Sequence, residues 1–202
     1  MTAAIFIGCA VGAYLLGSIP WGLLWGLARG IDIRTVGSGN IGATNTLRAL
    51  GQGPGITVLI LDAAKGFLPV LLAPMIFKQV DKNALQIVCC VAAIAGHNWP
   101  IWLKFKGGKG VATSAGALLA FLPAALVCAL AVWGVVFGIS RYVSLASICA
   151  AVALPVATWF ILRDRTLLIF TAAVGAAVVY KHKANIQRLL AGTENRVGAK
   201  KA

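Results

Sequence analysis

Long apolar runs separated by short polar breaks set the pattern of this chain. They fall at about 4–27, 55–77, 84–103 and 142–162, and a shorter run at about 166–180 lies between Arg163-Asp164-Arg165 and Lys181. The hydrocarbon layer of a membrane takes about 20 apolar residues per helix, within a range of about 17–25. Each run therefore reads as a transmembrane helix. The stretch 111–139 reads as one long helix or as two short ones hinged at Pro123. Two helices of about 14 residues would rise only about 21 Å each, so one of them would be half-spanning or the bilayer would thin around it.

Charge placement helps to choose between these counts. Met1 to Ala28 contains no Lys or Arg, and Arg29 follows the first apolar run. That order is the reverse of a signal peptide, so the expectation is a retained anchor with its N-terminus outside. A single crossing at 111–139 would leave the basic tail (Lys181, Lys183, Arg188, Arg196, Lys200, Lys201) on the outer face. Splitting it gives seven crossings. The tail then joins Arg29, Arg34, Arg48, Lys104, Lys106, Lys109 and Arg141 inside, and Lys78, Lys82, Arg163 and Arg165 stay outside. An excess of cations on the cytoplasmic side favours an odd number. The expectation is an all-α polytopic membrane protein, a single domain over 1–202, with about seven transmembrane helices. Five is the alternative if 142–180 crosses once. In either case the C-terminus is cytoplasmic.

Composition agrees. Of 202 residues, 60% are hydrophobic and 11% charged, and five acidic residues cannot solvate a globular surface of this size. The net charge of +13 is spread between apolar runs rather than gathered in a stripe, which argues against nucleic acid. Cys9, Cys89, Cys90, Cys128 and Cys149 lie inside apolar runs with no metal-ligand spacing. They read as small buried hydrophobes, and neither metal nor disulfide is expected.

Two basic, glycine-rich loops carry the candidate chemistry. The first is Gly37-Ser38-Gly39-Asn40-Ile41-Gly42-Ala43-Thr44-Asn45, followed by Arg48; the second is Lys104-Phe105-Lys106-Gly107-Gly108-Lys109-Gly110-Val111-Ala112-Thr113. Without Cβ atoms, several backbone amides can converge on one anion, and hydroxyl, amide and cationic side chains complete such a cradle. Capping of a following helix accounts for some of Ser38, Asn40, Thr44 and Asn45, but three glycines and an arginine exceed what a cap needs. The second loop is not a Walker A sequence, because Gly110 follows Lys109 and Leu103 stands where the first glycine would fall. Its plain reading is lysine on the cytoplasmic side, which suffices for Lys104 and Lys106; the glycines single out Lys109. At the mouth of a membrane bundle, the ligands expected are phosphates at a lipid surface.

Three further places stand out. In the tail, His182, Asn185, Ile186 and Leu189 share a helical face, either directed into the bundle or part of an interfacial amphipathic helix. Asp62 and Lys65, three residues apart, can pair within a span, as a functional site or as a support for the first loop. His97 precedes Trp99 and Trp102, which have the character of interfacial residues.

These segments together resemble the bacterial membrane family of acyl-phosphate:glycerol-3-phosphate acyltransferases. The resemblance covers nearly the whole chain, resting on GSGNIGATNTLRALG at 37–51, DAAKG at 62–66, GHNWPIWLKFKGGKGVAT at 96–113 and HKANIQRLLAGTE at 182–194. Lys183 stands where arginine is frequent in the family. The resemblance implies transfer of a fatty acyl group from acyl phosphate to the sn-1 hydroxyl of glycerol 3-phosphate, in a bacterial inner membrane with the site facing the cytoplasm. Lysophosphatidic acid and inorganic phosphate would be the products. It places catalysis on Ser38, Arg48, Lys109, His182 and Asn185, and substrate binding on Gly39, Asn40, Thr44, Asn45, Lys104, Gly107, Gly108 and Gly110.

The residues fit that chemistry. Acyl phosphate is an activated anhydride, so no metal, nucleotide or coenzyme A is expected as cofactor. Two phosphorylated substrates call for two cradles and for cations such as Arg48 and Lys109; the loop around Lys109 is expected to hold the acyl phosphate. A His-x4-Asp dyad is excluded, since Trp102 lies five residues after His97 and Gln187 five after His182. The proton acceptor is either His182 or a substrate phosphate, and Ser38 as a covalent nucleophile is disfavoured because no base is near it in sequence. A transporter or flippase of a phosphorylated metabolite is the competing class. It would want polar residues continuing to the membrane midplane and internal repeats; beyond Asp62 and Lys65 the spans hold no charge, and they show no repeat.

Overall fold

The computed structural model describes residues 1–198, so Lys200 and Lys201 of the basic tail lie outside the described residues. Every regular element among them is helical, and they form two compact units, 1–121 and the part of the chain from Leu122 onward.

In the first unit, α1 (Thr2–Gly17) stops short of the end of the first apolar run and α2 (Trp21–Leu27) completes it. Pro20 causes the break, since it has no N–H to donate and restricts the residue before it. The Ser18 hydroxyl bonds back to the Tyr14 carbonyl at 2.7 Å. A loop leads to α3 (Ala43–Leu50), then α4 (Gln52–Ile76), α5 (Lys82–Asn98), a 3-10 turn at Ile101–Leu103, and α6 (Val111–Phe121). Asp81 caps α5 by accepting from the Ala84 amide at 2.6 Å.

Glycine sets the helix spacing here. A Cβ on Gly17 would run into the Ala93 carbonyl and one on Gly96 into the Tyr14 carbonyl, so α1 and α5 touch backbone to backbone. Gly66 meets the Thr113 carbonyl and Gly116 the Ala63 carbonyl in the same way, joining α4 to α6. Close approach through small residues is how helices associate where lipid removes the hydrophobic drive.

The second unit runs up and down through α7 (Pro123–Ser140), α8 (Val143–Leu162) and α9 (Arg165–Lys181). Two-residue turns join them, with Arg141 and Arg163 left-handed at φ 62 and 53°. Asp164 caps α9 through the Leu167 amide at 3.0 Å. The chain then bends by 58° at His182 into α10 (Lys183–Leu190).

The segment 111–139 is thus two helices divided at Leu122, with Pro123 opening the second as a residue that needs no donor there. The division is unequal, with 11 residues in α6 and 18 in α7, rather than two helices of about 14. Among the described residues, five helices are long and apolar enough to cross a membrane, counting 2–27 as one, and a sixth is available if α9 and α10 form one bent span.

The backbone contact at Gly116 makes a pointed expectation. Gly116→Ala drives a methyl against the Ala63 backbone and should cost about 1–3 kcal/mol, the usual range for overpacking. Gly134→Ala on α7 meets nothing within 4 Å and should leave stability unchanged or slightly raised. Thermal melting of the two variants in detergent checks both; equal melting temperatures would remove the close-contact argument.

Candidate functional site

The first loop is held open by its own side chains. Asn45, 2% exposed, accepts the Ser38 amide at 2.8 Å and donates to the carbonyls of Ile33 at 2.9 Å and Val36 at 3.1 Å. Its amide is therefore committed to shaping the loop. Asn40 turns the chain into α3 by accepting the Gly42 amide at 2.9 Å, and Gly37 and Gly39 take φ values of 62 and 67° that a side chain disfavours. Asp32 and Arg34 form a two-pronged pair, Nε to Oδ1 at 2.9 Å and Nη2 to Oδ2 at 2.6 Å. Hydrogen bonds from Arg34 lower the Asp32 carboxyl to about 2, so it remains charged and keeps Arg34 occupied. Ser38, Thr44 and Arg48 stand on the exposed rim.

The second loop lies along the end of α5. The Gly108 amide donates to the His97 carbonyl at 3.0 Å. A Cβ on Gly107 would strike that carbonyl, one on Gly108 would strike the His97 ring, and one on Gly110 would come within 2.8 Å of Asn98 Oδ1. These glycines are needed for close packing against α5, and the Gly108 amide serves the fold rather than an anion. Lys104 is exposed with left-handed φ of 50°, while Lys109 is half-buried between Gly108 and Gly110. Leu103 packs on the apolar cluster of Leu23, Ile33 and Ile41. That cluster ties the approach to the second loop to the frame of the first.

The Asp62–Lys65 pair exists, with Nζ 2.7 Å from Oδ1 and both side chains 2% exposed. Lys65 also donates to the Ile19 carbonyl at 2.8 Å, and Asp62 faces His97 Nδ1 at 3.6 Å. The pair thus supports the α1–α2 break and α5. His97 is buried, not interfacial like Trp99 and Trp102.

In the second unit, His182 is 3% exposed at the α9–α10 bend, its Nδ1 2.8 Å from the Val178 carbonyl. A carbonyl can only accept, so Nδ1 is the donor in this contact. Asn185 is 4% exposed and Lys183 points outward, so the tail helix directs both polar groups inward while its cation stays out. A residue given no role from the sequence organises this region. Glu194 Oε1 accepts from Ser144 Oγ at 2.8 Å and Asn185 Nδ2 at 2.7 Å, and Oε2 accepts from Arg188 Nε at 2.7 Å. Burial pushes its carboxyl up, but these donors outweigh it and leave the group below the usual glutamate range. Its sequence signals were its place at the end of the 182–194 motif and a Gly192 turn separating it from two donors three residues apart.

The family model for glycerol-3-phosphate acyltransferase matches residues 7–192. The chain belongs to the glycerol-3-phosphate acyltransferase family. A member from Desulforamulus reducens is 50% identical over 196 residues, covering 95% of this chain and 94% of that protein. One from Trichlorobacter lovleyi is 48% identical over 199 residues, covering 98% and 100%. Two crystal structures of PlsY, an integral membrane glycerol 3-phosphate acyltransferase, are similar in fold. Its glycerol 3-phosphate form has a TM-score of 0.89 at 41% identity, covering 96% of each chain. Its lysophosphatidic acid form has a TM-score of 0.86 at 40% identity, covering 96% of this chain and 95% of that one. The chain is thus an enzyme of this family and a membrane protein; its motif residues at 38–48 and 104–110 lie in the first unit, and His182 and Asn185 in the second.

The Glu194 contacts predict an acid-sensitive tail. A carboxyl held below its unfolded value, about 4.3, contributes stability above that pH and loses it as pH falls through the folded value. Protection against hydrogen exchange at 191–197, taken relative to the unstructured rate at each pH, should be high near neutrality and be lost only under strongly acidic conditions. Glu194→Gln should loosen the segment already at pH 7; equal protection in the two proteins would show that the tail does not depend on this carboxylate.

Proposed function

We propose that this chain transfers a fatty acyl group from acyl phosphate to the sn-1 hydroxyl of glycerol 3-phosphate, giving lysophosphatidic acid and inorganic phosphate. The observation that carries the reading is family membership over 7–192, joined to similarity with a protein crystallised in glycerol 3-phosphate and lysophosphatidic acid forms. Those two ligands are an acceptor and a product of one acylation. In the reaction the acyl carbon–oxygen bond to phosphate breaks and an ester bond to the acceptor oxygen forms. The hydroxyl proton leaves, and the departing phosphate takes the electron pair.

Arg48 offers a fork of N–H donors for two phosphate oxygens, and Lys109 adds a cation on the glycine loop. Ser38, Gly39, Asn40 and Thr44 line the first cradle, with Asn45 as its frame; Lys104 and Lys109 serve the second, whose backbone Gly107, Gly108 and Gly110 let pack against α5. His182, whose Nδ1 is taken by the Val178 carbonyl, is one acceptor for the proton, and a substrate phosphate oxygen is the other. In the substrate-assisted route His182 and Asn185 position glycerol phosphate, and the protein contributes orientation and electrostatics. Residues 1–202 act as one integral-membrane domain of seven crossings, with α6 short. The N-terminus is outside, and the tail and both loops face the cytoplasm from the bacterial inner membrane. The cation distribution supports that orientation.

Purified protein should release phosphate from palmitoyl phosphate in proportion to added glycerol 3-phosphate. Release without acceptor, or none with it, would end the acyl-transfer reading. Gly107→Ala or Gly108→Ala should raise the KM for acyl phosphate more than that for glycerol 3-phosphate; wild-type KM values for both substrates would dismiss that loop as a cradle. Arg48→Lys keeps the charge but loses the fork and should lose most activity, whereas near-normal turnover would reduce Arg48 to a topological cation. For a general base, His182→Ala should lower turnover by about 100–10,000-fold and erase an acidic limb near pH 6.5. A positioning role would instead chiefly raise the acceptor KM, and unchanged kinetics would exclude both.

A further inference from the structure

The loops and the tail leave one buried cluster without a part in the chemistry, and it lies directly behind the second loop. Asp62 and Lys65 are each 2% exposed and His97 is 4% exposed. Charged and ionisable groups at such depth in an apolar bundle are costly, and a retained one calls for a purpose. Lys65 Nζ bridges Asp62 Oδ1 at 2.7 Å and the Ile19 carbonyl at 2.8 Å, so the pair is fastened to the α1–α2 break. The same Asp62 oxygen lies 3.6 Å from His97 Nδ1. On the other side of the ring, Nε2 is the atom nearest the space that a Cβ on Gly108 would fill. The His97 carbonyl receives the Gly108 amide at 3.0 Å. One residue is thus held by a charge on one edge, while its other edge and its backbone both touch the glycine that precedes Lys109.

We propose that His97 is a positioning residue that sets the backbone of 107–110, and that the Asp62–Lys65 pair holds it in place. It touches no reacting atom. The Asp62 carboxylate stands 3.6 Å from the Nδ1 edge of the ring, and the Nε2 edge bears on Gly108. The ring then occupies the volume that confines position 108 to glycine, and the loop can rest in one place. This rests on the acyl-transfer reading and on the second loop as a phosphate cradle. There, a displacement of about 1 Å can cost about 100-fold in rate. A histidine that merely filled space would change stability and leave substrate constants alone.

The test is steady-state kinetics of the purified full chain, varying palmitoyl phosphate and glycerol 3-phosphate separately, with thermal melting of every variant. The set is wild type, Gly108→Ala, His97→Ala, His97→Gln and the double variant Asp62→Leu with Lys65→Met. The double variant removes both charges together, which buried pairs often tolerate, whereas removing one strands the other. His97→Ala should raise, by about 10–100-fold, the KM of the same substrate whose KM Gly108→Ala raises, with kcat changed far less. His97→Gln should fall between it and wild type, and the double variant should shift that same KM in the same direction. A folded His97→Ala with both KM values at wild type overturns the proposal, as does one that shifts the other substrate's KM. If His97→Ala does not fold, a folded double variant with wild-type constants overturns it instead. Wild-type protein that shows no acceptor-dependent phosphate release overturns the acyl-transfer reading itself, an outcome read before any variant is compared.

Discussion

A full ion pair sealed inside an apolar helix bundle is the constraint around which the first unit is organised. Asp62 and Lys65 stand 2.7 Å apart at 2% exposure. Losing either would leave an unpaired charge, which costs more than the pair contributes by forming. Its value lies in what it fixes. Lys65 reaches the Ile19 carbonyl, where Pro20 has interrupted the first apolar run, and Asp62 faces the ring of His97 at the end of α5. Three segments distant in sequence are thus brought to one point, in a region where hydrophobic burial alone chooses poorly among arrangements.

Glycine makes that convergence geometrically feasible. Backbone contact at Gly17, Gly96, Gly66 and Gly116 brings α1 to α5 and α4 to α6. The same requirement extends into the second loop, where Gly107, Gly108 and Gly110 fit against His97, Asn98 and Pro100. A glycine-rich basic loop is open to two explanations, amides gathered for an anion or a chain pressed against a helix. Here packing accounts for the glycines, and Lys109 supplies the cation.

The second unit uses a different device. Its hairpins close with left-handed arginines and an aspartate cap, and the tail is drawn back by the Glu194 carboxylate, which gathers Ser144, Asn185 and Arg188. The Val197 amide adds a bond to the Arg141 carbonyl at 3.0 Å. Asn185, named from its helical face alone, proves to be held through its amide nitrogen, which leaves its oxygen as the group without a hydrogen-bond partner among the described residues.

Hydropathy by itself determined the helical class and the apolar runs, and Pro123 offered a break within 111–139, because a span's length and a proline's missing donor are local properties. Periodicity likewise put His182 and Asn185 on one face, and a three-residue spacing paired Asp62 with Lys65. The unequal division at Leu122, the commitment of Asn45 to its own loop, the burial of His97 and the gathering role of Glu194 were decided only by the tertiary structure. Each depends on contacts between residues far apart in the chain, such as Glu194 with Ser144, 50 positions away, or Lys65 with Ile19, 46 positions away. A polar residue in an apolar segment announces that it needs a partner. Which one it finds is set by how helices pack, and that is written in no single stretch of sequence.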